Sequence, residues 1–173
     1  MALVYKRKVV LIGSYAVGKT AMLNRFVDEK FLTDYKATIG VNLMNKKLEI
    51  ENGKVINFSI WDIAGQLAFK GVWKNFYNAA AGALIIFDVT RQVTYDEVQG
   101  WYQNILDHIK ESIPCVLVAN KIDLVDQRII SSEKGKELAD SLDMEYIETS
   151  AKTGENITNA FKLIGKISLK LIN

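Results

Sequence analysis

The sequence predicts an α/β fold in which a mostly parallel six-stranded sheet carries one antiparallel edge strand and is covered by helices on both faces. Three observations point there. Short apolar runs alternate with amphipathic stretches along the whole chain, which is how a parallel sheet wrapped by helices reads in sequence. Three of the runs, Val9-Val10-Leu11-Ile12, Ala83-Leu84-Ile85-Ile86-Phe87 and Cys115-Val116-Leu117-Val118-Ala119, show no polar alternation and so suit strands buried on both sides. An Asn52-Gly53 pair separates two further strand-like segments, the strongest short-range hairpin signal.

The elements follow in order. Val9–Ile12 is the first central strand, and a helix begins near Lys19. Val41 to Ile50 and Val55 to Trp61 flank the Glu51-Asn52-Gly53-Lys54 turn and supply the antiparallel edge. In the second of these, Ile56, Phe58 and Ile60 alternate with Asn57 and Ser59, so one face is buried. Thr94-Tyr95-Asp96-Glu97 has capping-box spacing before a helix running to about Lys110. Tyr146-Ile147 is a short last strand. Asn156 caps a final helix whose Ile157, Ala160, Phe161, Ile164, Ile167 and Leu171 form one apolar stripe, which is core.

Composition bounds the function classes. At 173 residues, 49% apolar and 24% charged, with a single Pro, the chain is expected to form one domain over residues 1–173 and to be ordered throughout. The net charge of +2 builds no field suited to nucleic acid. The longest apolar run, Ala79 to Phe87, is too short to cross a bilayer, and the N-terminus lacks an apolar stretch with a cleavage site. With one cysteine, Cys115, no intramolecular disulfide forms. These features predict an intracellular protein, and the absence of heptads or a large apolar surface predicts a monomer.

The chemistry is carried by loops at strand ends. Gly13-Ser14-Tyr15-Ala16-Val17-Gly18-Lys19-Thr20, between a strand and a helix, matches the phosphate-loop pattern G-x-x-x-x-G-K-[ST]. Glycines let backbone N–H groups close around phosphates, the Lys19 ammonium meets the outer phosphates, and the Thr20 hydroxyl suits Mg²⁺. The helix adds the positive end of its dipole, and Ala21 continues it. That loop does not distinguish ATP from GTP. Asn120-Lys121-Ile122-Asp123 follows the buried strand Cys115–Ala119, and Asp123 can accept from both N1–H and N2–H₂ of guanine, whereas adenine leaves the carboxylate facing an acceptor. Thr149-Ser150-Ala151-Lys152 closes another strand end.

On these motifs the chain resembles the Ras superfamily of small GTPases, with a three-layer P-loop NTPase fold, from Val9 to Ile172. The resemblance implies that Ser150, Ala151 and Lys152 support the base, chiefly through the backbone at Ala151. It makes residues 31–40 switch I: Phe31 packs against guanine, Tyr35 covers the phosphates, and Thr38 closes on Mg²⁺ and the γ-phosphate. Trp61-Asp62-Ile63-Ala64-Gly65-Gln66 opens switch II, with Asp62 holding Mg²⁺, Gly65 sensing the γ-phosphate and Gln66 orienting the attacking water. Lys19 and Gln66 are then the catalytic pair, and Thr20, Thr38 and Asp62 the metal set.

Thr38-Ile39-Gly40-Val41 and Trp61 are most similar to Rab proteins, which mark and route membranes. The resemblance implies a switch that cycles between GTP and GDP, hydrolyses slowly without an activating protein, and meets effectors, exchange factors and activating proteins through residues 31–41 and 62–77. It also implies a cytoplasmic protein that can sit peripherally on the cytosolic face of membranes. The sequence departs from the Rab pattern at Leu67-Ala68-Phe69, where a Glu and an Arg are usual, and at Tyr15 and Ala16, where a phenol can obstruct an arginine finger. It ends Lys170-Leu171-Ile172-Asn173 without a cysteine to prenylate, so membrane association stands as an open alternative. A GTP-binding scaffold with little turnover is the other reading that Tyr15 motivates.

Overall fold

In the computed structural model, residues 3–32, 40–65 and 73–170 are described. Strand β1 (Leu3–Ile12) enters exposed and ends buried, and helix α1 (Lys19–Asp28) follows the phosphate loop. Strands β2 (Val41–Glu51) and β3 (Lys54–Ile63) form the hairpin, turning at Asn52 (φ 51°) and Gly53 (φ 73°). Both turn residues lie in the left-handed region, as a tight hairpin that matches strand twist requires. Helix α2 (Trp73–Tyr77) leads to β4 (Gly82–Asp88), then α3 (Gln92–Asp96) and α4 (Val98–His108). The chain continues through β5 (Cys115–Asn120), α5 (Ser132–Ser141), β6 (Glu145–Thr149) and α6 (Ile157–Lys170).

The six strands lie in the order β2-β3-β1-β4-β5-β6. Every pairing is parallel except β2 with β3 at the edge. Helices cover both faces, in agreement with the three-layer fold expected from the sequence. Alternate residues of each strand feed alternate cores. Val9 and Leu11 of β1 meet Phe58 of β3, Phe26 of α1, and Phe161 and Ile164 of α6 on one side. On the other side Val10 and Ile12 join Phe87, Trp73, Tyr77, Trp101 and Ala139. The all-apolar runs are buried on both sides, as their lack of alternation requires, and Cys115 is buried at the start of β5.

Two local expectations are corrected. Thr94 does not cap a helix to Lys110; it lies within α3, where its hydroxyl accepts from Asp88 N (3.0 Å) and donates to Arg91 O (2.8 Å). The helix beyond it is a separate element ending at His108, and the Thr94 hydroxyl bonds back to Asp88 at the end of β4 and to Arg91 at the start of α3. Asn156 does precede α6, but its side-chain oxygen accepts from Asn159 Nδ2 (3.1 Å), not from a helical N–H. Helices α2 and α5 were not read from the sequence. Of the α6 stripe, Ile157, Ala160, Phe161 and Ile164 are buried, Ile167 is partly so, and Leu171 lies outside the described residues.

The parallel strands share one polarity, so their C-terminal ends fall on one edge of the sheet. Asp62 pairs in register beside Leu11, Asp88 beside Asn120, and Asn120 beside Thr149. That edge is where open α/β sheets present ligand-binding loops.

Candidate functional site

Residues 13–20 close a tight loop around the Lys19 side chain. Lys19 Nζ donates to Gly13 O and Ser14 O, both at 2.9 Å, and is only 6% exposed. Burial lowers its pKa to about 8, and the nearby Asp62 carboxylate opposes that shift. A buried ammonium held by two carbonyls is a charge aimed at the loop centre with incomplete neutralisation, the arrangement a polyphosphate completes.

At the end of β3, Asp62 is fully buried, and Thr20 Oγ1 donates to its Oδ2 at 2.5 Å. A hydroxyl and a carboxylate side by side are hard oxygen donors, and one or two such groups with phosphates and waters are what Mg²⁺ takes from a protein. Gly65 lies directly on the phosphate loop: a Cβ there would stand 2.6 Å from Gly13 O and 2.7 Å from Tyr15 N. Any side chain would push the two segments apart.

The loops after β5 and β6 lock onto the phosphate loop. Asn120 Nδ2 donates to Val17 O (2.9 Å), while its Oδ1 accepts from Thr149 Oγ1 (3.1 Å) and Ala151 N (3.3 Å). A Cβ on Gly18 would meet that Nδ2 at 2.4 Å, and Gly18 has φ +100°. Lys121, itself at φ 70°, donates to Ala16 O (2.8 Å) and pairs with Asp88 Oδ2 (2.7 Å). Asp123 Oδ1 accepts from Ser150 Oγ (2.6 Å). Three strand ends and the phosphate loop therefore form one connected polar surface.

Of the residues singled out in the sequence, Ser14, Tyr15, Ala16, Val17, Gly18, Lys19, Thr20, Asp62, Gly65, Asn120, Lys121, Asp123, Ser150 and Ala151 are joined by these contacts. Val17 points its side chain into the core and offers backbone only, and Ala21 packs against the same core. Lys152 is exposed, with its carbonyl engaged by Arg25. Phe31 is 36% exposed. Tyr35, Thr38 and Gln66, with Leu67, Ala68 and Phe69, lie outside the described residues.

Sequence reasoning missed five contributors. Asp88 closes β4 and orients Lys121; a lone carboxylate ending an all-apolar strand was the available signal. Ser14 Oγ donates to Glu97 and accepts from Trp101 Nε1 (3.2 Å), and Arg91 donates to Tyr15 O (2.8 Å), bracing the phosphate loop from α4 and from the residues that precede α3 and α4. Arg25 of α1 reaches Ala151 O and Lys152 O. Partners so distant in sequence leave no local pattern.

The sequence matches the Ras family over residues 8–170. The Ras-related protein RABA5b of Arabidopsis thaliana is 42% identical over 174 residues, covering 98% of this chain and 80% of that relative. RABA4a of the same plant is 38% identical, covering 98% and 74%. The GTP-binding protein ypt2 of Schizosaccharomyces pombe is 39% identical, covering 91% and 78%.

Proposed function

Because the chain belongs to the Ras family of small GTPases and is similar to Rab proteins, we propose that it is a guanine-nucleotide switch that binds GTP and GDP with Mg²⁺ and hydrolyses GTP to GDP and phosphate, in the control of membrane traffic or signalling. The observation that supports this best is the convergence on one sheet edge of three groups: the Lys19 loop, the Thr20–Asp62 pair, and the Asn120, Asp123, Ser150 and Ala151 cluster.

In this reading the backbone N–H groups of residues 14–21 bind the phosphates, with Lys19 supplying charge to the outer two. Thr20 and Asp62 hold Mg²⁺, joined by Thr38, and the ion when bound neutralises charge on the outer phosphates. Asp123 accepts from the guanine edge, Ser150 steadies it, Lys121 and Phe31 flank the base, and the backbone at Ala151 and Lys152 supports it. Tyr35 covers the phosphates, Gly65 senses the γ-phosphate through its amide, and Gln66 orients the attacking water. Loss of that phosphate releases the loops that Thr38 and Gly65 hold, so effectors, exchange factors and activating proteins that meet residues 31–41 and 62–77 distinguish the two states. The protein acts as a monomeric single domain over residues 1–173, in the cytoplasm or peripherally on the cytosolic face of membranes, with slow turnover until an activating protein assists.

A scaffold that holds nucleotide with little turnover is the second reading. It is favoured by Tyr15, 44% exposed within the phosphate loop, where its phenol obstructs an incoming arginine. Multiple-turnover phosphate release with GTP, with ATP as control, separates the two. The switch requires slow GTP-specific release that drops in Gln66→Ala and in Asp123→Ala; tight GTP binding with no release in the parent chain selects the scaffold.

A further inference from the structure

We propose that Arg25 is the positioning residue that aims the base-reading carboxylate, acting through the turn at residues 151–153 and the Ser150 hydroxyl. The inference rests on the reading of Asp123 given above and adds the group that determines its selectivity.

Arg25 sits on α1, 126 residues before Ala151 and 127 before Lys152. Its Nε donates to Ala151 O (2.9 Å) and its Nη2 to Lys152 O (2.5 Å), so one planar guanidinium spans two successive carbonyls. The peptide that carries Lys152 O also carries Thr153 N–H. Because the peptide unit is planar, holding the carbonyl sets the direction of that N–H. Thr153 N donates to Ser150 Oγ (3.1 Å), and Ser150 Oγ donates in turn to Asp123 Oδ1 (2.6 Å). The relay runs without a break from α1 to Asp123.

The surrounding geometry makes Arg25 the support that the turn needs. Gly154 N closes the turn onto Ser150 O (2.8 Å), and Gly154 has φ +87°. The Arg25 stem lies along this turn, its Cδ 3.6 Å from where a Gly154 Cβ would stand. A third contact, Arg25 Nη1 to Glu29 O (3.3 Å), ties the same guanidinium to the end of α1. Since α1 also carries Lys19 and Thr20 in its first turn, one rigid helix spaces the phosphate-binding end from the base-reading end.

The consequence is selective. A displaced Asp123 weakens recognition of the guanine N2–H₂ and N1–H and leaves the phosphate contacts intact. Inosine diphosphate keeps N1–H and the same phosphates but lacks the exocyclic amine, so the ratio of GDP to IDP affinity reads the contact of the carboxylate with N2–H₂.

The test measures Kd for GDP and IDP with Mg²⁺ on the full chain, for the parent, Arg25→Ala, Arg25→Lys and Asp123→Ala, with thermal melts verifying folding. Arg25→Ala is expected to cut the GDP preference by about tenfold or more, the scale on which small misplacements act. Arg25→Lys keeps the charge without the fork and stays reduced. If both nucleotides weaken equally in Arg25→Ala, the residue is merely structural and the proposal is overturned. Should Arg25→Ala fail to fold, Arg25→Lys decides: a parental preference overturns the proposal and a reduced one supports it. If Asp123→Ala itself keeps the preference, the reading of Asp123 falls and the proposal with it, whereas its collapse beside an unchanged Arg25→Ala removes only the role of Arg25.

Discussion

Glu148, one position from the end of β6, gathers Arg128, Ser132 and Tyr146 around one carboxylate. It accepts from Arg128 Nη2 (2.5 Å) and Nη1 (3.2 Å), Ser132 Oγ (2.7 Å) and Tyr146 OH (2.8 Å). Burial alone pushes its pKa up, but the hydrogen bonds from Arg128, Ser132 and Tyr146 together outweigh that and hold it at about 2. A carboxyl depressed in the folded state contributes stability that is present above the ordinary value of 4.5 and is lost as pH falls toward about 2. Glu148→Gln should therefore flatten the pH dependence of urea stability between those limits, as read by denaturation at stepped pH. The side chain is 24% exposed, so solvent screens the effect and its size is modest. Lys19, Thr20, Asn120 and Asp123 were legible in the sequence because each belongs to a short pattern with a chemical reason for its spacing. Asp88, Arg25 and Glu97 were not, because their roles exist only once β4, α1 and the junction of α3 with α4 stand beside loops far away in the chain.

At the scale of elements, α6 shows how a periodic stripe becomes energy. Phe161 stacks on Phe26 of α1 with centroids 3.9 Å apart and meets Phe58 of β3 edge-on at 6.1 Å, while Phe26 and Phe58 contact each other at 6.2 Å. Three elements thus share one aromatic cluster, and all three rings are buried. Phe161→Ala should cost about 3–5 kcal/mol of stability by lost transfer energy and a cavity under the sheet, measurable as a shift in urea midpoint at constant m-value. The stripe was readable from its spacing, and so was the hairpin from Asn52-Gly53. The Thr94 spacing misled for an identifiable reason: a capping box is a local pattern, yet the hydroxyl was recruited by Asp88 N at the end of a neighbouring strand. Short α2 was missed because five residues are too few for periodicity to register.

Across the whole molecule, the candidate site draws on the ends of β1, β3, β5 and β6 and on the start of α1, so a ligand there bridges segments spread over most of the chain. Anything that binds only the folded form stabilises it by mass action, about 2.7 kcal/mol at a ligand concentration 100 times Kd. GDP with Mg²⁺ at that concentration should raise the melting temperature of the parent chain in a concentration-dependent way. Asp123→Ala at the same GDP concentration should lose most of the rise. An equal rise in the variant would remove Asp123 from the proposed nucleotide contacts.

Sequence by itself determined the sheet class, the antiparallel edge, the final core helix and the residue types at the phosphate loop and at the loops after β5 and β6, because periodicity, turn conformation and motif spacing are properties of neighbouring residues. Only the tertiary structure decided that Lys121 is oriented by Asp88, that Ser14 is held by Glu97 and Trp101, and that Arg25 reaches across to Ala151 and Lys152. The physical reason is that hydrogen bonds and ion pairs depend on distance in space, and parallel strand ends bring together residues that no window along the chain contains.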